Sequence, residues 1–323
     1  MEIAPNVHKI DSITGGRPLQ LYLLVGSDRT VLVDAGGSSE PERVIFPYLK
    51  GIGLKPTDVD MVVVTHSDRD HIGGLSAIKR ANPSVLLTCG DQDRFMVEDP
   101  ETIYSFRYNH YADDHLVAFD EAGHAAIMQD LGDPQSVDFT WSGGETLRIG
   151  PDWLLEIHHV PGHTFGHLAI YDTKNKAIFG GDVVQGSVYP TTEGAAALGP
   201  TYLYVDTYLM SIKHLGSLGS EMLCLAHWPV KRGHEVQDFL DESRQYVEQV
   251  ERLMIGALKG KSTGATMREL MSELGPKLGD WPRGADELLA FSFAGHLERL
   301  ESRGLAVRDS STKPVRYSLT HRT

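Results

Sequence analysis

The segment "VVVTHSDRDHIGG", residues 62–74, places two histidines and two aspartates within six positions, directly after a run of valines. The valines predict a buried strand, and loops that follow such strands commonly present functional side chains. A tight loop can direct His66, Asp68, Asp70 and His71 toward one point. Taken alone, this cluster is typical of a metal site and of a group of packed polar residues in equal measure.

Three further potential ligands lie in similar settings later in the chain. His163 in "VPGHTFGH", Asp182 in "FGGDVV" and His227 in "LAHWP" each follow a strand-like run and stand beside small or turn-forming residues. The shared position of these three residues at strand ends is hard to explain as three separate packing choices. Cys89 and Cys224 lie outside any C-x-x-C pattern, so histidine and carboxylate side chains must carry the metal chemistry.

The order of these motifs along residues 1 to about 235 resembles that of the metallo-β-lactamase superfamily. The motifs are H-x-D-x-D-H-x-G-G, G-H-T-x-G-H, G-G-D and A-H, and "VDAGG" with Asp34 resembles the first motif of the family. The resemblance implies an α/β fold, a four-layer αββα sandwich, with a two-metal centre in a cleft at one edge of its two sheets. We therefore expect a catalytic domain over residues 1–235.

The resemblance also implies a role for each ligand. His66 and His163 would hold the first metal, Asp70, His71 and His227 would hold the second, and Asp182 would bridge the two. Asp34 would brace the ligand loop from behind. His167 would be an additional ligand or acid, or a residue that packs behind the site.

Asp68 departs from the family pattern, which has histidine at this position. A carboxylate can ligate zinc, iron or manganese, and it makes the first site more negative than an imidazole does. The aspartate side chain is shorter than that of histidine, however, which limits its reach to the metal. We therefore expect Asp68 to be a ligand or near-ligand and the two sites to differ in affinity. The expected cofactor is a pair of divalent metal ions, zinc first, with iron or manganese as alternatives.

A two-metal centre implies hydrolysis without a protein nucleophile. Two cations about 3.5 to 4 Å apart lower the pKa of a bridging water to about 7, and Asp70 would orient the resulting hydroxide as the catalytic residue. We therefore expect a hydrolase of a small-molecule ester, lactone or thioester. The alternatives are a phosphodiesterase or RNA-processing nuclease of the same fold, and an iron-dependent redox metalloprotein. The nearly complete ligand set disfavours a non-catalytic scaffold.

Residues 92–142 interrupt a series of strand-like runs. The runs lie at 19–26, 30–37, 59–66, 84–90, 146–150, 153–160, 167–172, 177–184 and 221–229. The interruption is long for a connection, which predicts an insertion with helices of its own. Its aromatic and histidine side chains suit a lid over an apolar substrate pocket, namely Tyr104, Phe106, Tyr108, His110 and Tyr111. The alternative is an aromatic patch packed on the sandwich or on another subunit.

The last part of the chain predicts a second, smaller domain. Apolar side chains at helical spacing over 235–258 predict a connecting helix, which we assign to 236–260. Helix patterns at 262–275 and 287–304 and a hairpin pattern at 305–320 are typical of a winged-helix-like domain over 261–323. Residues 262–323 contain nine Lys and Arg and eight Asp and Glu, a balance that favours an accessory or dimerisation module over nucleic-acid binding. A homodimer is therefore one expected assembly.

The beginning of the sequence, "MEIAPNVHKIDS", has no basic region that leads into an apolar stretch. No later segment offers the run of about 18 uncharged apolar residues that a membrane-spanning helix requires. We therefore expect a cytoplasmic protein without membrane association.

The formal net charge of −14 predicts weak binding to polyanions and favours a small-molecule substrate. We expect binding to duplex DNA and to RNA to be weak and unspecific at physiological salt. Gel-shift titrations with both nucleic acids measure this. Tight, sequence-specific binding would instead favour the nuclease alternative.

Overall fold

The computed structural model describes residues 1–320, which form a mixture of strands and helices. The strands are β1 (Glu2–Ala4), β2 (Val7–Thr14), β3 (Arg17–Val25), β4 (Thr30–Val33), β5 (Met61–Val63), β6 (Leu86–Gly90), β7 (Phe139–Trp141), β8 (Thr146–Gly150), β9 (Trp153–His159), β10 (Leu168–Asp172), β11 (Ala177–Gly181), β12 (Tyr189–Pro190), β13 (Ala196–Leu198), β14 (Met222–Leu225), β15 (Lys231–Arg232), β16 (Ala265–Thr266), β17 (Ala306–Asp309) and β18 (Arg316–Leu319). The α-helices are α1 (Phe46–Gly51), α2 (Arg69–Ile72), α3 (Leu75–Ala81), α4 (Arg94–Val97), α5 (Pro100–Ile103), α6 (Ala112–His115), α7 (Glu121–Leu131), α8 (Val205–Ser217), α9 (His234–Lys259), α10 (Met267–Leu278) and α11 (Ala290–Ser302). Helical segments of the 3₁₀ or π type lie at Pro41–Ile45, Pro56–Asp58, Asp91–Asp93, Tyr104–Tyr108 and Arg283–Leu289. Within the described residues, no helix combines the length and apolar character needed to cross a membrane.

Two sheets lie face to face at the centre of the molecule. The first has the order β1-β2-β3-β4-β5-β6-β7 and the second the order β15-β14-β11-β10-β9-β8. Because side chains alternate along a strand, Val31 and Val33 of β4 lie between the sheets while Leu32 lies on the outer face. Ile170 and Phe179 of the second sheet belong to the same inner core as the two valines.

Helices cover both outer faces and complete the four layers. Leu32 belongs to a core that it shares with Leu49 of α1 and Ile78 of α3. On the opposite side, the outward face of the second sheet shares a core with α8 and α9. The order of layers is therefore helix, sheet, sheet, helix, and the α/β sandwich expected from the sequence is confirmed.

The strand ends that carry the candidate ligands meet at one edge of the sandwich. β4 and β5 are parallel neighbours in the first sheet, and β11 and β14 are parallel neighbours in the second. Asp34 and His66 follow the first pair, and Asp182 and His227 follow the second pair. Parallel pairing brings the carboxyl ends of neighbouring strands together, so the topology assembles the site from distant parts of the sequence.

The strand pattern in the sequence missed three members of the first sheet. β1 and β2 alternate buried and exposed positions irregularly and lie toward one edge of the sheet. β7 lies inside the segment 92–142, where we expected helices, and it pairs in parallel with β6. With three residues, β7 is too short to show a periodic pattern. Residues 139–141 therefore belong to the sandwich.

The C-terminal elements pack on the layer of helices outside the second sheet. After α9, the chain forms a sheet of order β16-β18-β17 that accompanies α10 and α11. Tyr202 and Phe293 belong to the same core as α9, and the Tyr202 hydroxyl lies 2.9 Å from Nε2 of His296. This continuous core joins the C-terminal elements to the sandwich over a buried surface.

Gly295 of α11 lies directly against the backbone of Leu203, where an added Cβ would come within 1.8 Å of the Leu203 carbonyl oxygen. We expect Gly295→Ala to lower the free energy of unfolding by about 1 to 3 kcal/mol, because relief of this contact requires α11 to move. Urea unfolding measures the change.

The matched control is Gly256→Ala in α9, where the added methyl would meet nothing within 4 Å. Alanine has a higher helix propensity than glycine, so this control is expected to be neutral or slightly stabilising. Equal stability of the two variants would contradict the close packing of α11.

Candidate metal centre

The loop between β5 and α2 is held in place by Asp34. The Asp34 carboxylate accepts hydrogen bonds from the backbone N–H of Thr65 at 2.7 Å and from its hydroxyl at 2.9 Å. Its Oδ2 also lies 2.8 Å from Nδ1 of His71. Asp34 itself has a φ of 65°, in the left-handed region that aspartate tolerates better than most residues. These contacts tie Asp34 to the loop that carries the candidate ligands.

Four buried histidines each place Nδ1 against an oxygen. These pairs are His66 with Thr65 Oγ1 at 3.0 Å, His71 with Asp34 Oδ2 at 2.8 Å, His163 with the Thr201 carbonyl at 3.2 Å and His227 with the Pro18 carbonyl at 2.6 Å. Contacts of this kind orient the imidazole ring and leave Nε2 as the atom that can bind a metal. The rings therefore present their Nε2 atoms to a common space.

Several atoms that face this space have no protein partner. Within residues 1–320, Nε2 of His66, Nε2 of His71 and Oδ1 of Asp182 are buried and make no hydrogen bond. Buried polar atoms are almost always paired, so three unpaired atoms that lie together are suited to binding a cation. His71 Nε2 lies 3.8 Å from Asp182 Oδ1.

The spacing of these atoms suits metal ions. His227 Nε2 lies 3.5 Å from Asp70 Oδ2 and 3.5 Å from Asp182 Oδ2, and His66 Nε2 lies 3.6 Å from Asp68 Oδ2. Ligands about 2.0 to 2.2 Å from a tetrahedral zinc ion lie roughly 3.3 to 3.6 Å from one another. The residues form three overlapping groups: His66, Asp68 and His163; His66, His71 and Asp182; and Asp70, His71 and His227. All seven residues singled out from the sequence are thus brought together, and the clusters are suited to binding metal ions.

Burial lowers the pKa of a histidine and a neighbouring carboxylate raises it, so the outcome differs between His66 and His71. Burial, reinforced by the adjacent imidazoles, holds the pKa of His66 well below its ordinary value. Burial also opposes protonation of His71, but the Asp34 carboxylate outweighs it and raises the pKa of His71 to about 10. Binding of a metal at Nε2 of His71 must therefore displace a proton.

Asp68 is enclosed by Arg107, Tyr108 and His163, and the sequence did not suggest Arg107. The Arg107 guanidinium forms a two-pronged ion pair with its carboxylate, with Nη2 donating to Oδ2 at 2.9 Å. The Tyr108 hydroxyl donates to Oδ1 at 3.1 Å, and His163 Nε2 lies 2.9 Å from Oδ2. Burial alone would raise the pKa of Asp68, but Arg107 and His163 hold it well below its usual range.

This ion pair corrects one expectation from the sequence. We expected Asp68 to make the first site more negative than an imidazole would. Arg107, which is 6% exposed, supplies a compensating positive charge at the same place. Its Nη2 also lies 3.1 Å from Nε2 of His163, so a metal bound by Asp68 and His163 would compete with the guanidinium.

His167 lies behind the centre. Its ring stacks on His66, with centroids 4.7 Å apart and planes 12° from parallel. Its Nδ1 lies 3.0 Å from the Leu168 carbonyl, and burial holds the pKa of His167 well below its ordinary value. Of the roles considered for His167, these contacts favour packing behind a ligand.

A cavity of about 140 Å³ opens over the candidate ligands. Arg17 and Arg69 line it, and Arg17 Nη2 lies 3.8 Å from Asp70 Oδ2. Tyr189 also lines the cavity and donates its hydroxyl proton to Asp182 Oδ2 at 2.8 Å. Burial alone would raise the pKa of Asp70, but neighbouring positive charges, chiefly that of His71, lower it.

The five residues that we expected to line a substrate pocket lie in different places. Tyr108 lines the cavity over the ligands, and Tyr111 lines an adjoining cavity. Tyr104 packs on His124, with ring centroids 4.1 Å apart. Phe106 is 62% exposed beside Phe95, and His110 lines a separate polar cavity.

The cavity also has lining residues that the sequence did not reveal. Leu288 and Phe291 reach it from the C-terminal elements, and Arg17 reaches it from β3. The motif spacing that identified the ligands carries no information about these long-range neighbours. Arg107 lies within the aromatic segment, where the pattern drew attention to the rings.

Comparison with protein families and solved structures gives one consistent result. The sequence profile of the metallo-beta-lactamase superfamily matches residues 15–227. A metallo-beta-lactamase family protein from Thermus thermophilus has a TM-score of 0.78 at 20% identity, with 99% of this chain and 100% of that chain covered. A beta-lactamase domain protein from Burkholderia ambifaria has a TM-score of 0.74 at 17% identity, with 99% and 93% covered. At these identities the two structures show the fold alone.

Curated relatives match over shorter stretches. Acyl-coenzyme A thioesterase MBLAC2 from Gallus gallus is 26% identical over 63% of this chain and 68% of its own length. Hydroxyacylglutathione hydrolase GloC from Haemophilus influenzae is 28% identical over 49% of this chain and 62% of its own length. A hydroxyacylglutathione hydrolase from Bdellovibrio bacteriovorus is 24% identical over 50% of this chain and 45% of its own length.

Arg107 should weaken metal binding at Asp68, because its guanidinium pairs with the carboxylate oxygens that would otherwise bind the ion. We expect Arg107→Met to raise the affinity of the site formed by His66, Asp68 and His163 for zinc at least about tenfold. Metal content after dialysis against a series of buffered zinc concentrations measures this.

Arg69→Met is the matched control for this measurement. Arg69 lines the same cavity, but its side chain pairs with Asp130 at 3.3 Å, so its loss should leave the same site unchanged. A lower zinc content in Arg107→Met than in the wild type would show that Arg107 instead positions Asp68 for the metal.

Proposed function

The chain belongs to the metallo-β-lactamase superfamily, and from this premise we propose that it is a dinuclear metal-dependent hydrolase of a small-molecule ester, lactone or thioester. Members of this superfamily are metal-dependent hydrolases. One observation carries the proposal: the buried and unpaired atoms of His66, His71 and Asp182 face a common space. Buried polar atoms are almost always paired, so three unpaired ligand atoms in one place favour a metal centre over a purely structural core.

The ligands divide between two positions. His66 and His163 would hold one ion with Asp68, and Asp70, His71 and His227 would hold the other. Asp182 is suited to lie between them, because its Oδ1 faces His71 while its Oδ2 is 4.0 Å from Nε2 of His163. When bound, the two ions lower the pKa of a water molecule between them to about 7 and stabilise negative charge on the substrate carbonyl oxygen.

Three residues of the protein would position the water molecule, the Asp182 carboxylate and the substrate. The lowered pKa of Asp70 keeps its carboxylate ionised at neutral pH, so it can accept a hydrogen bond from water and hold it in one orientation. Tyr189 fixes the Asp182 carboxylate through its hydroxyl. Arg17 lies beside Asp70 at the cavity wall, where it can attract an anionic part of the substrate.

We propose zinc as the resident ion at both positions. The donor set is rich in histidine, which suits zinc, and each ring is fixed by an oxygen behind it. The argument for iron or manganese rested on an additional negative charge at Asp68. Arg107 offsets that charge, so zinc is favoured.

A thioester is the favoured substrate among the three classes. The relatives include an acyl-coenzyme A thioesterase and hydroxyacylglutathione hydrolases. The net charge of −14 supports a small molecule over nucleic acid as the partner.

We also propose that residues 261–323, of which 321–323 lie outside the described residues, correspond to a winged-helix-like accessory region attached to a catalytic region over 1–235 through the helix assigned to 236–260. The order of β16, α10, α11, β17 and β18 supports this assignment. Leu288 and Phe291 line the cavity over the ligands, which supports a role in framing the active site.

Asp70→Asn and His227→Ala should each lower kcat/KM for a thioester at least about 100-fold while the fold is retained, because each removes part of one metal position. A panel of thioesters, esters, lactones and a phosphodiester, assayed with zinc content measured in parallel, tests this. His214→Ala, which removes an exposed histidine on α8, is the control and should retain wild-type turnover. Near wild-type turnover of Asp70→Asn at full zinc content would overturn the assignment.

A further inference from the structure

A second cavity adjoins the cavity over the candidate ligands. Its volume is about 360 Å³, larger than the 140 Å³ of the first. Tyr108, Phe119, Leu288 and Phe291 line both. Because these four side chains form a common wall, the two cavities are neighbouring compartments of one cleft. The cleft runs between the segment 108–120 and the segment 284–291.

The wall of the second cavity is apolar and well packed. Tyr111, Val117 and Phe291 are 5%, 7% and 6% exposed, and Ala290 is 2% exposed. The rings of Tyr111 and Phe291 meet edge to face, with centroids 5.6 Å apart. Pockets of this size and character bind apolar parts of small molecules.

Arg107 marks the boundary between the two compartments. Its guanidinium lies 4.9 Å from the centre of the Phe291 ring and also pairs with Asp68. The polar metal centre therefore ends where the apolar compartment begins. A substrate whose carbonyl lies at the metals could extend an apolar group past Phe291.

Charge distinguishes the two compartments further. Three arginines, Arg17, Arg69 and Arg107, line the first cavity together with the candidate ligands Asp68, Asp70 and Asp182. The charged residues that line the second are Asp120 and Glu287, the latter paired with Arg268 at 2.8 Å. With two divalent cations bound among these carboxylates, the first compartment would attract an anionic leaving group such as a phosphorylated thiol, whereas the second would not.

We propose that the second cavity binds the acyl group of the substrate, so that the preferred substrates are thioesters of an apolar acyl group longer than acetyl. This inference rests on the proposed hydrolase function and specifies its substrate class. In the reaction, a water oxygen forms a bond to the acyl carbon and the C–S bond breaks. The products are the carboxylate, a proton and the free thiol. The acyl chain passes Phe119 and Phe291, and the thiol leaves on the side of Arg17 and Arg69.

Direct binding tests the cavity without catalysis. Octanamide, a neutral probe that resembles the acyl group, is titrated into the wild-type protein by calorimetry, with acetamide as the short comparison. We expect octanamide to bind at least about tenfold more tightly than acetamide, because its methylenes fill the apolar compartment. Equal affinities would overturn the assignment.

Two variants fill the cavity and keep the test informative if one of them fails to fold. Ala118→Trp adds a large ring at the exposed side of the cavity, and Ala290→Leu adds volume at its buried wall. Each should weaken octanamide binding at least about tenfold. Ala126→Trp, on the exposed face of α7, is the matched control and should bind octanamide as the wild type does.

Steady-state kinetics test whether the second cavity sets the preferred length of the acyl chain. For acetyl, butyryl, octanoyl and dodecanoyl thioesters of one thiol, we expect kcat/KM for octanoyl to exceed that for acetyl at least about tenfold. The filling variants should lower this ratio at least about tenfold, and Ala126→Trp should not change it. A ratio near one in the wild type, or a ratio unchanged by both filling variants, would overturn the inference.

The two levels of the proposal fail separately. If none of the thioesters, esters and lactones is hydrolysed but octanamide binds and the filling variants abolish its binding, the proposed function is wrong while the apolar site stands. If acetyl thioesters are hydrolysed without chain-length preference or octanamide binding, the function stands and the acyl site is wrong.

Discussion

The burial of several carboxylates and imidazoles around one small space is the constraint on which this structure depends. Asp34, Asp70 and Asp182 are 2%, 8% and 3% exposed, at a depth where an unpaired charge is costly. Asp34 is satisfied by Thr65 and His71, and Asp182 is partly satisfied by Tyr189. Within the described residues, Nε2 of His66, Nε2 of His71 and Oδ1 of Asp182 make no hydrogen bond and face a common space. The proposed cations would compensate these charges, and the parallel strand ends at the edge of the sandwich hold the candidate ligands where such cations could bind.

The cleft combines two kinds of chemistry from different parts of the chain. Strand ends of the sandwich supply the charged ligands, and their positions are fixed by hydrogen bonds behind each ring. The segment around Tyr108 and the C-terminal segment around Phe291 supply the apolar walls. Arg107 connects the two, because it pairs with Asp68 on one side and lies over an aromatic ring on the other. A change at Arg107 therefore affects both the charge at the metal position and the entrance to the apolar compartment.

The sequence predicted site residues where a side chain that can bind a metal directly follows a recognisable strand pattern. His66, Asp70 and His71 stand next to a buried strand, so their type and their position together identified them as ligands. Arg107 could not be assigned in this way, since it lies 39 positions from Asp68 and pairs with it only after the chain has folded. The same reason applies to Phe291, which reaches the cavity from the far end of the sequence. The strand β7 was missed because three residues give no period, and pairing with β6 is what makes it a strand.

A crystal structure of the purified protein with anomalous diffraction recorded on both sides of the zinc absorption edge tests the central claim most directly. We expect two anomalous peaks about 3.5 to 4 Å apart. One should lie about 2.0 to 2.2 Å from Nε2 of His71 and of His227, and the other at the same distance from Nε2 of His66 and of His163. A protein that binds zinc in solution but shows no peak within reach of these nitrogens would contradict the assignment of the metal centre.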